Sequence, residues 1–145
     1  MSDDIEFSEE LMELVNKALG HGLSSVSEGG PLVPFVMHEL AGKVSIQRHL
    51  VQGETEDELD LTESVESARR FAASLSGKAQ RVALVLEGRL SEPGGTKMDA
   101  IIVQAFEAGE PASYHFGHGF RDADSPGGFS HLGEGLFLGE APPLW

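Results

Sequence analysis

Residues 81–120, RVALVLEGRLSEPGGTKMDAIIVQAFEAGEPASYHFGHGF, decide the fold class. Three runs rich in β-branched and aromatic residues, at 81–90, 98–109 and 112–120, alternate with two loops that carry Pro and Gly turn chemistry. Loops this short cannot hold a crossover helix, so consecutive strands must be antiparallel neighbours. The stretch predicts a three-stranded antiparallel meander.

Two amphipathic helices are predicted upstream of the meander. The first covers 8–19, with Ser8 as its N-cap and Gly20 just past its end, and the second starts at Asp60 and stops at Gly77. Each has an apolar stripe at helical spacing that must dock on the sheet. The stripes are Leu11, Leu14, Val15, Ala18 and Leu19, and Leu61, Val65, Ala68, Ala72 and Leu75.

A β-hairpin is predicted between the helices, from PLVPFVMHEL at 31–40 and KVSIQRHLV at 43–51. Pro34 cannot donate to a strand ladder, which indicates either an edge position or a strand that starts after the proline. The second run alternates, so each of its faces takes every other residue. One face takes Val44, Ile46, Arg48 and Leu50, and the other takes Ser45, Gln47, His49 and Val51.

The element order α-β-β-α-β-β-β predicts a two-layer α+β domain: an antiparallel sheet of about five strands with two helices on one face. A chain of 145 residues fits one domain, residues 1–145. We expect residues 1–7 to be flexible. We expect the Gly- and Pro-rich tail, 122–145, to be irregular, with one short strand or turn docked through Phe137 and Leu138.

This element order is similar to that of the roadblock and profilin-like group of small regulatory folds. In those folds a hairpin, a helix and a three-stranded meander make one sheet, often with dimerisation through helices or strand edges. The strand–turn–strand stretch RVALVLEGRL…GTKMDAIIVQAF also resembles small bacterial proteins of uncharacterised function, over residues 30–120. The likeness carries over no active-site residue, because fold analogy does not transfer function.

The chain is acidic, with a net charge of −14, and contains no cysteine. Residues 1–66 hold 15 acids against Lys17, Lys43 and Arg48. Such a surface repels phosphate backbones and anionic lipid, so we expect neither a nucleic-acid nor a membrane partner. The acidic start lacks the features of a secretory signal, and no apolar run reaches the roughly 18 residues of a membrane span. We therefore expect a cytoplasmic protein.

YHFGHGFRDAD, residues 114–124, holds the most conspicuous candidate site. In a strand, Tyr114, Phe116, His118 and Phe120 point one way, while His115, Gly117, Gly119 and Arg121 point the other. The histidines could converge only if a bulge at Gly117 reset the alternation. Two imidazoles still fall short of the roughly three protein ligands of a catalytic zinc, with His49 or Asp99 as a conceivable third. We expect packing or hydrogen-bonding roles, and neither a metal nor a cofactor.

Other motifs are incomplete. DADSPGGFSHLGE, from Asp122, starts like a calcium loop but has Pro126 at the fifth position and Gly133 at the twelfth. The chain has no P-loop, HExxH or GxSxG motif. Glu87 and Asp99 fall near each other across the hairpin at PGG, with Arg89 and Lys97 adjacent, and predict a cross-strand charge pair more than an acid–base pair.

These features favour a non-enzymatic interaction or regulatory module that acts as a homodimer through a sheet edge or open sheet face. One alternative is a small-ligand binder or hydrolytic enzyme, with a histidine-containing pocket near residues 115–131 between the sheet and the tail. Another is an acidic secretion-type chaperone that binds extended segments. The candidate ligand-binding residues of the pocket are His115, His118, Arg121 and His131.

Overall fold

The computed structural model describes residues 7–27, 32–49, 61–91, 97–121 and 130–144. Two helices and six strands lie within these ranges. The helices are α1 (Glu9–Val26) and α2 (Leu61–Ser74). The strands are β1 (Phe35–Leu40), β2 (Lys43–Arg48), β3 (Arg81–Ser91), β4 (Lys97–Glu107), β5 (Ser113–Arg121) and β6 (Ser130–Ala141).

The strands form one antiparallel sheet in the order β2-β1-β3-β4-β5-β6. The predicted meander is confirmed as β3, β4 and β5, and so is the α+β class. The sheet has six strands where about five were predicted, because β6 lies in the tail that was predicted to be irregular. Glycines weaken the strand pattern of this tail, and two register shifts against β5 accommodate it in the sheet.

The helices lie on opposite faces of the sheet, so the prediction that both share one face is wrong. Consecutive residues of β1 show this, because their side chains point to alternate faces. Val36 packs with α2, whereas Phe35 and Met37 pack with α1. We call these faces the α1 face and the α2 face. The α1 face carries Phe35, Met37, Ala83, Val85, Ile101, Val103, Ala105, Phe116 and Phe120, and the α2 face carries Val36, Val82 and Leu84.

Helix α1 starts as predicted and ends later. The Ser8 side chain caps it by accepting from the backbone N–H of Leu11 at 3.1 Å. The helix continues through Gly20 and Gly22 to Val26. Gly22 is buried where the helix crosses the sheet, and a Cβ there would lie 2.7 Å from Cγ2 of Ile101. This glycine permits close packing and does not end the helix.

The hairpin is confirmed, and Pro34 is explained by the second of its two alternatives. Strand β1 begins directly after the proline and is an interior strand, between β2 and β3. A two-residue turn at Ala41 and Gly42 joins β1 to β2, with φ values of 51° and 82°. Two positive φ values are the type I′ combination, whose twist matches that of the flanking strands. The turn fixes the register of β2 on β1.

Phe7 anchors the chain ahead of α1. Its ring centroid lies 5.0 Å from that of Tyr114, 5.3 Å from that of Phe116 and 5.5 Å from that of Phe137. These contacts pack residue 7 against aromatic side chains of β5 and β6. Residues 1–6, and the predicted helix cap at Asp60, lie outside the described residues.

Candidate interaction surface

His115 and His118 lie on opposite faces of the sheet. Strand β5 pairs with β4 in unbroken register from Tyr114 to Phe120, so its alternation is never reset. The register shifts occur between β5 and β6, where β6 supplies the additional residues. His115 therefore falls on the α2 face and His118 on the α1 face, as the alternation predicted.

His115 lies beside the partly exposed helix α2. It is the Cα partner of Gln104, whose side-chain oxygen accepts from Nη1 of Arg69 at 3.4 Å. Burial lowers the pKa of His115, and the positive charge of Arg69 lowers it further. This imidazole is therefore held neutral over more of the acid range than a free histidine.

The hydroxyl group of Ser113 makes two hydrogen bonds within the fold. Its Oγ accepts from Nε2 of Gln104 at 2.8 Å and donates to the carbonyl of Pro142 at 2.6 Å. The residue is fully buried. These bonds tie β4, β5 and the segment after β6 together, and they leave Ser113 without the exposure that a nucleophile needs.

The four candidate ligand-binding residues do not form one cluster, because two of them lie on opposite faces of the sheet. His118 pairs with Ile101 on the α1 face, away from His115. Arg121 and His131 belong to β5 and β6, where Arg121 pairs with Ser130 and His131 pairs with Phe120. For Arg121 and His131 the structure describes the backbone pairing but not the side chains.

Within the described ranges, no group of three or more His, Asp or Glu side chains is placed to hold a metal ion. Asp99, one of the two conceivable third ligands, pairs with Arg89 across the β3–β4 hairpin, with Nε and Oδ1 3.6 Å apart. This is the cross-strand charge pair that the sequence predicted. Asp122 and Asp124 of the calcium-like loop lie outside the described residues.

A buried histidine pair lies where α2 meets the hairpin. The ring centroids of His38 and His49 are 5.5 Å and 5.2 Å from that of Phe71, and Nδ1 of His49 is hydrogen-bonded to Oγ of Ser67 at 3.0 Å. Burial lowers the pKa of both histidines. No hydrogen-bond partner is placed for Nδ1 of His38 or Nε2 of His49 within the described part of the chain.

Sequence reasoning missed this pair. The one available signal was that His38 shares strand parity with Val36 and Leu40, an apolar face.

An ion-pair row crosses the α1 face at one end of the sheet. Glu39, Arg81 and Glu107 are Cα partners on β1, β3 and β4. Nη1 of Arg81 donates to Glu39, and Nε donates to Oε2 of Glu107 at 2.6 Å. The same oxygen accepts from the Ser8 hydroxyl at 2.8 Å, so the row also fixes the start of α1. These hydrogen bonds stabilise the fold.

The exposed apolar side chains lie on the two edge strands. Among the described residues, four large apolar side chains are exposed: Val44 and Ile46 on β2, and Phe137 and Leu138 on β6, at 36%, 40%, 45% and 42%. Val44 and Ile46 pair with Glu39 and Met37, which places them on the α1 face. Each edge strand of the described sheet thus carries exposed apolar side chains.

Strand β2 is a regular edge. It pairs with β1 over six consecutive residue pairs without a shift. The backbone N–H of His49 donates to the carbonyl of Pro34 at 2.8 Å, which identifies residue 49 as one whose backbone points toward β1. Because inward and outward groups alternate in an antiparallel ladder, Lys43, Ser45 and Gln47 bond to β1 while Val44 and Ile46 direct N–H and C=O groups outward.

No protein-family model, no curated protein and no solved structure matches this chain. In the described part, neither helix is both long enough and apolar enough to span a membrane.

Proposed function

We propose that this protein is a non-enzymatic interaction module that acts as a homodimer through an edge of its sheet. The observation that carries the proposal is the location of the exposed apolar residues. Within the described chain, all four of the large ones lie on the two edge strands. An edge strand also presents unpaired backbone groups, so it can gain both hydrogen bonds and apolar burial by accepting another strand.

The positions of the other candidate polar groups support this assignment. His115 and His118 belong to different faces, and the hydroxyl of Ser113 is held in structural bonds. The polar groups of the Arg81 row hold three strands and a helix start together. The geometry of these groups supports a structural role for each.

The test is sedimentation equilibrium of the wild-type protein and two charge-matched double variants. One variant, Val44→Lys/Ile46→Lys, places charges on β2; the other, Phe137→Lys/Leu138→Lys, places the same charges on β6. We expect the wild type to dimerise at or below about 100 μM, because an interface of one strand pair is small and of modest affinity. One double variant should be a monomer and the other a dimer.

A wild-type protein that is monomeric at that concentration overturns the homodimer. A dimer that survives both double variants overturns the use of the sheet edges. Circular dichroism spectra and melting curves of the variants establish that any loss of association is not a loss of fold.

A further inference from the structure

We infer that two copies join through β2, antiparallel, about a two-fold axis that passes through Ser45, to give one continuous twelve-stranded sheet. This inference rests on the proposed function and specifies its interface. It is carried by the hydrogen-bond alternation of β2, by the face on which Val44 and Ile46 lie, and by the position of the charges on the strand.

The choice of β2 over β6 follows from regularity. The pairing of β6 with β5 shifts register twice, between His115 and Phe116 and between Gly117 and Gly119. Such irregularities twist an edge and interrupt the outward row of N–H and C=O groups, which is how sheet proteins protect edges. Strand β2 has no such interruption over its six pairs with β1.

The alternation of β2 restricts where a two-fold axis can pass. Directly opposite residues of an antiparallel pair lie on the same face, so an axis between two residues is excluded because it would oppose residues of different faces. An axis through a residue opposes that residue to its own copy and opposes the flanking residues to residues of the same face, so it is allowed. The candidates near the middle of β2 are Ser45 and Ile46.

The side chains select Ser45. An axis there opposes Val44 of each copy to Ile46 of the other, and both residues direct their backbone groups outward, so these pairs are hydrogen-bonded. Four exposed apolar side chains then meet on the α1 face. An axis through Ile46 would instead oppose Val44 to Arg48.

The charges of β2 are compatible with the Ser45 axis. Lys43 of one copy faces Gln47 of the other, and Arg48 lies beyond the paired residues, where Nη2 is 3.1 Å from Nε2 of His21. No like charges are directly opposed. Because each copy carries −14, the dimer should become tighter as added salt screens repulsion between the two acidic bodies.

Cysteine cross-linking tests the axis in a chain that has no cysteine of its own. Ser45 residues of the two copies would form a non-hydrogen-bonded pair with Cα atoms about 4.5 Å apart, within the range of a disulfide. We expect the variant Ser45→Cys to form a disulfide-linked dimer under mild oxidation. The variant Gln47→Cys, on the same face of the same strand, should not, because its two copies would be about 13 Å apart.

The variant Ser74→Cys, on the exposed end of α2, measures linkage by random collision. Cross-linking of Ser45→Cys at least tenfold faster than this baseline supports the Ser45 axis. Preferential linkage in a mixture of Ser45→Cys and Gln47→Cys indicates the Ile46 axis and overturns the inference. If Ser45→Cys is linked only at the baseline rate in a protein that sediments as a dimer, the Ser45 axis is overturned but the proposed function is not. A monomeric wild-type protein overturns both the Ser45 axis and the proposed homodimer.

Discussion

The guanidinium of Arg81 lies between the carboxylates of Glu39 and Glu107 and donates to both. The three side chains are 16–18% exposed, so solvent screens them only in part. They join β1, β3 and β4 side by side, and Ser8 extends the connection to α1. A single cation therefore holds two acids together on a strongly acidic chain.

Replacement of Arg81 should destabilise the fold. In Arg81→Met two partly buried carboxylates lose their shared cation and face each other across β3, which should lower the free energy of unfolding by about 1–3 kcal/mol. Urea denaturation measures the loss. The matched control is Arg89→Met, because Arg89 is 70% exposed and its pair with Asp99 is worth less than about 1 kcal/mol. Equal losses in the two variants would contradict a stabilising role for the row.

The histidines around Phe71 should make the protein sensitive to acid. Burial lowers the pKa of His38 and of His49 from the ordinary value of 6.5. Below pH 6.5 the unfolded chain therefore binds protons that the folded chain does not. The free energy of unfolding should fall as pH drops from there through the lowered folded pKa, by at most about 1.4 kcal/mol per pH unit for each histidine.

Two measurements check this. Urea denaturation at several pH values gives the slope of the free energy of unfolding against pH. This slope should be shallower in His38→Leu, because that variant removes one titrating group. NMR titration of the imidazole protons gives the folded pKa values directly. Titration of both rings at or above 6.5 would contradict the prediction.

Alanine at two glycines of α1 should act in opposite directions. In Gly22→Ala, the new Cβ would lie 2.7 Å from Cγ2 of the buried Ile101, which should cost about 1–3 kcal/mol. In Gly20→Ala, the Cβ meets nothing within 4 Å, and the better helix former should stabilise by about 0.5–1 kcal/mol. Thermal and urea unfolding of the two variants give the signs, and a shared sign would count against this packing of α1 on the sheet.

His115 and His118 should contribute to stability independently. They are about 10 Å apart along β5 and on opposite faces, so the effects of His115→Ala and His118→Ala should add within about 0.5 kcal/mol in the double variant. Gln104→Ala and Ser113→Ala provide the comparison, since these side chains share a 2.8 Å hydrogen bond and should couple by about 0.5–3 kcal/mol. A histidine coupling above about 1 kcal/mol would indicate a shared site.

The elements with strong local signals were predictable from sequence. Turn chemistry and short loops were enough for the meander, and Ser8 with the spacing after it was enough for the start of α1. It was harder to predict which face of the sheet each helix covers. Helical periodicity indicates that an apolar stripe is buried, but not against which face of the sheet. One signal was present in RVALVL: Val82, Ala83, Leu84 and Val85 do not alternate, as in strands covered on both faces.

Sequence also predicted the divergence of His115 and His118, because strand alternation is local. The burial of His38 and His49 was not predictable in the same way. Both depend on where Phe71 of α2 docks, which is a tertiary contact between elements far apart in the chain. The tail was predicted to hold only one short strand or turn, at Phe137 and Leu138, where the structure has the twelve-residue strand β6, because its glycines are typical of a loop and its pairing with β5 is a tertiary contact.

The difference between the two edges of the sheet bears on how far assembly can proceed. A two-fold contact between β2 strands is isologous: it consumes the same surface on both copies and leaves none of that surface for a third. Growth beyond two copies would need contacts between the β6 strands that remain at the two edges, and the irregular pairing of β6 opposes such contacts. In the proposed dimer, the shifted register of β6 would therefore oppose the addition of further copies and the formation of open-ended fibres.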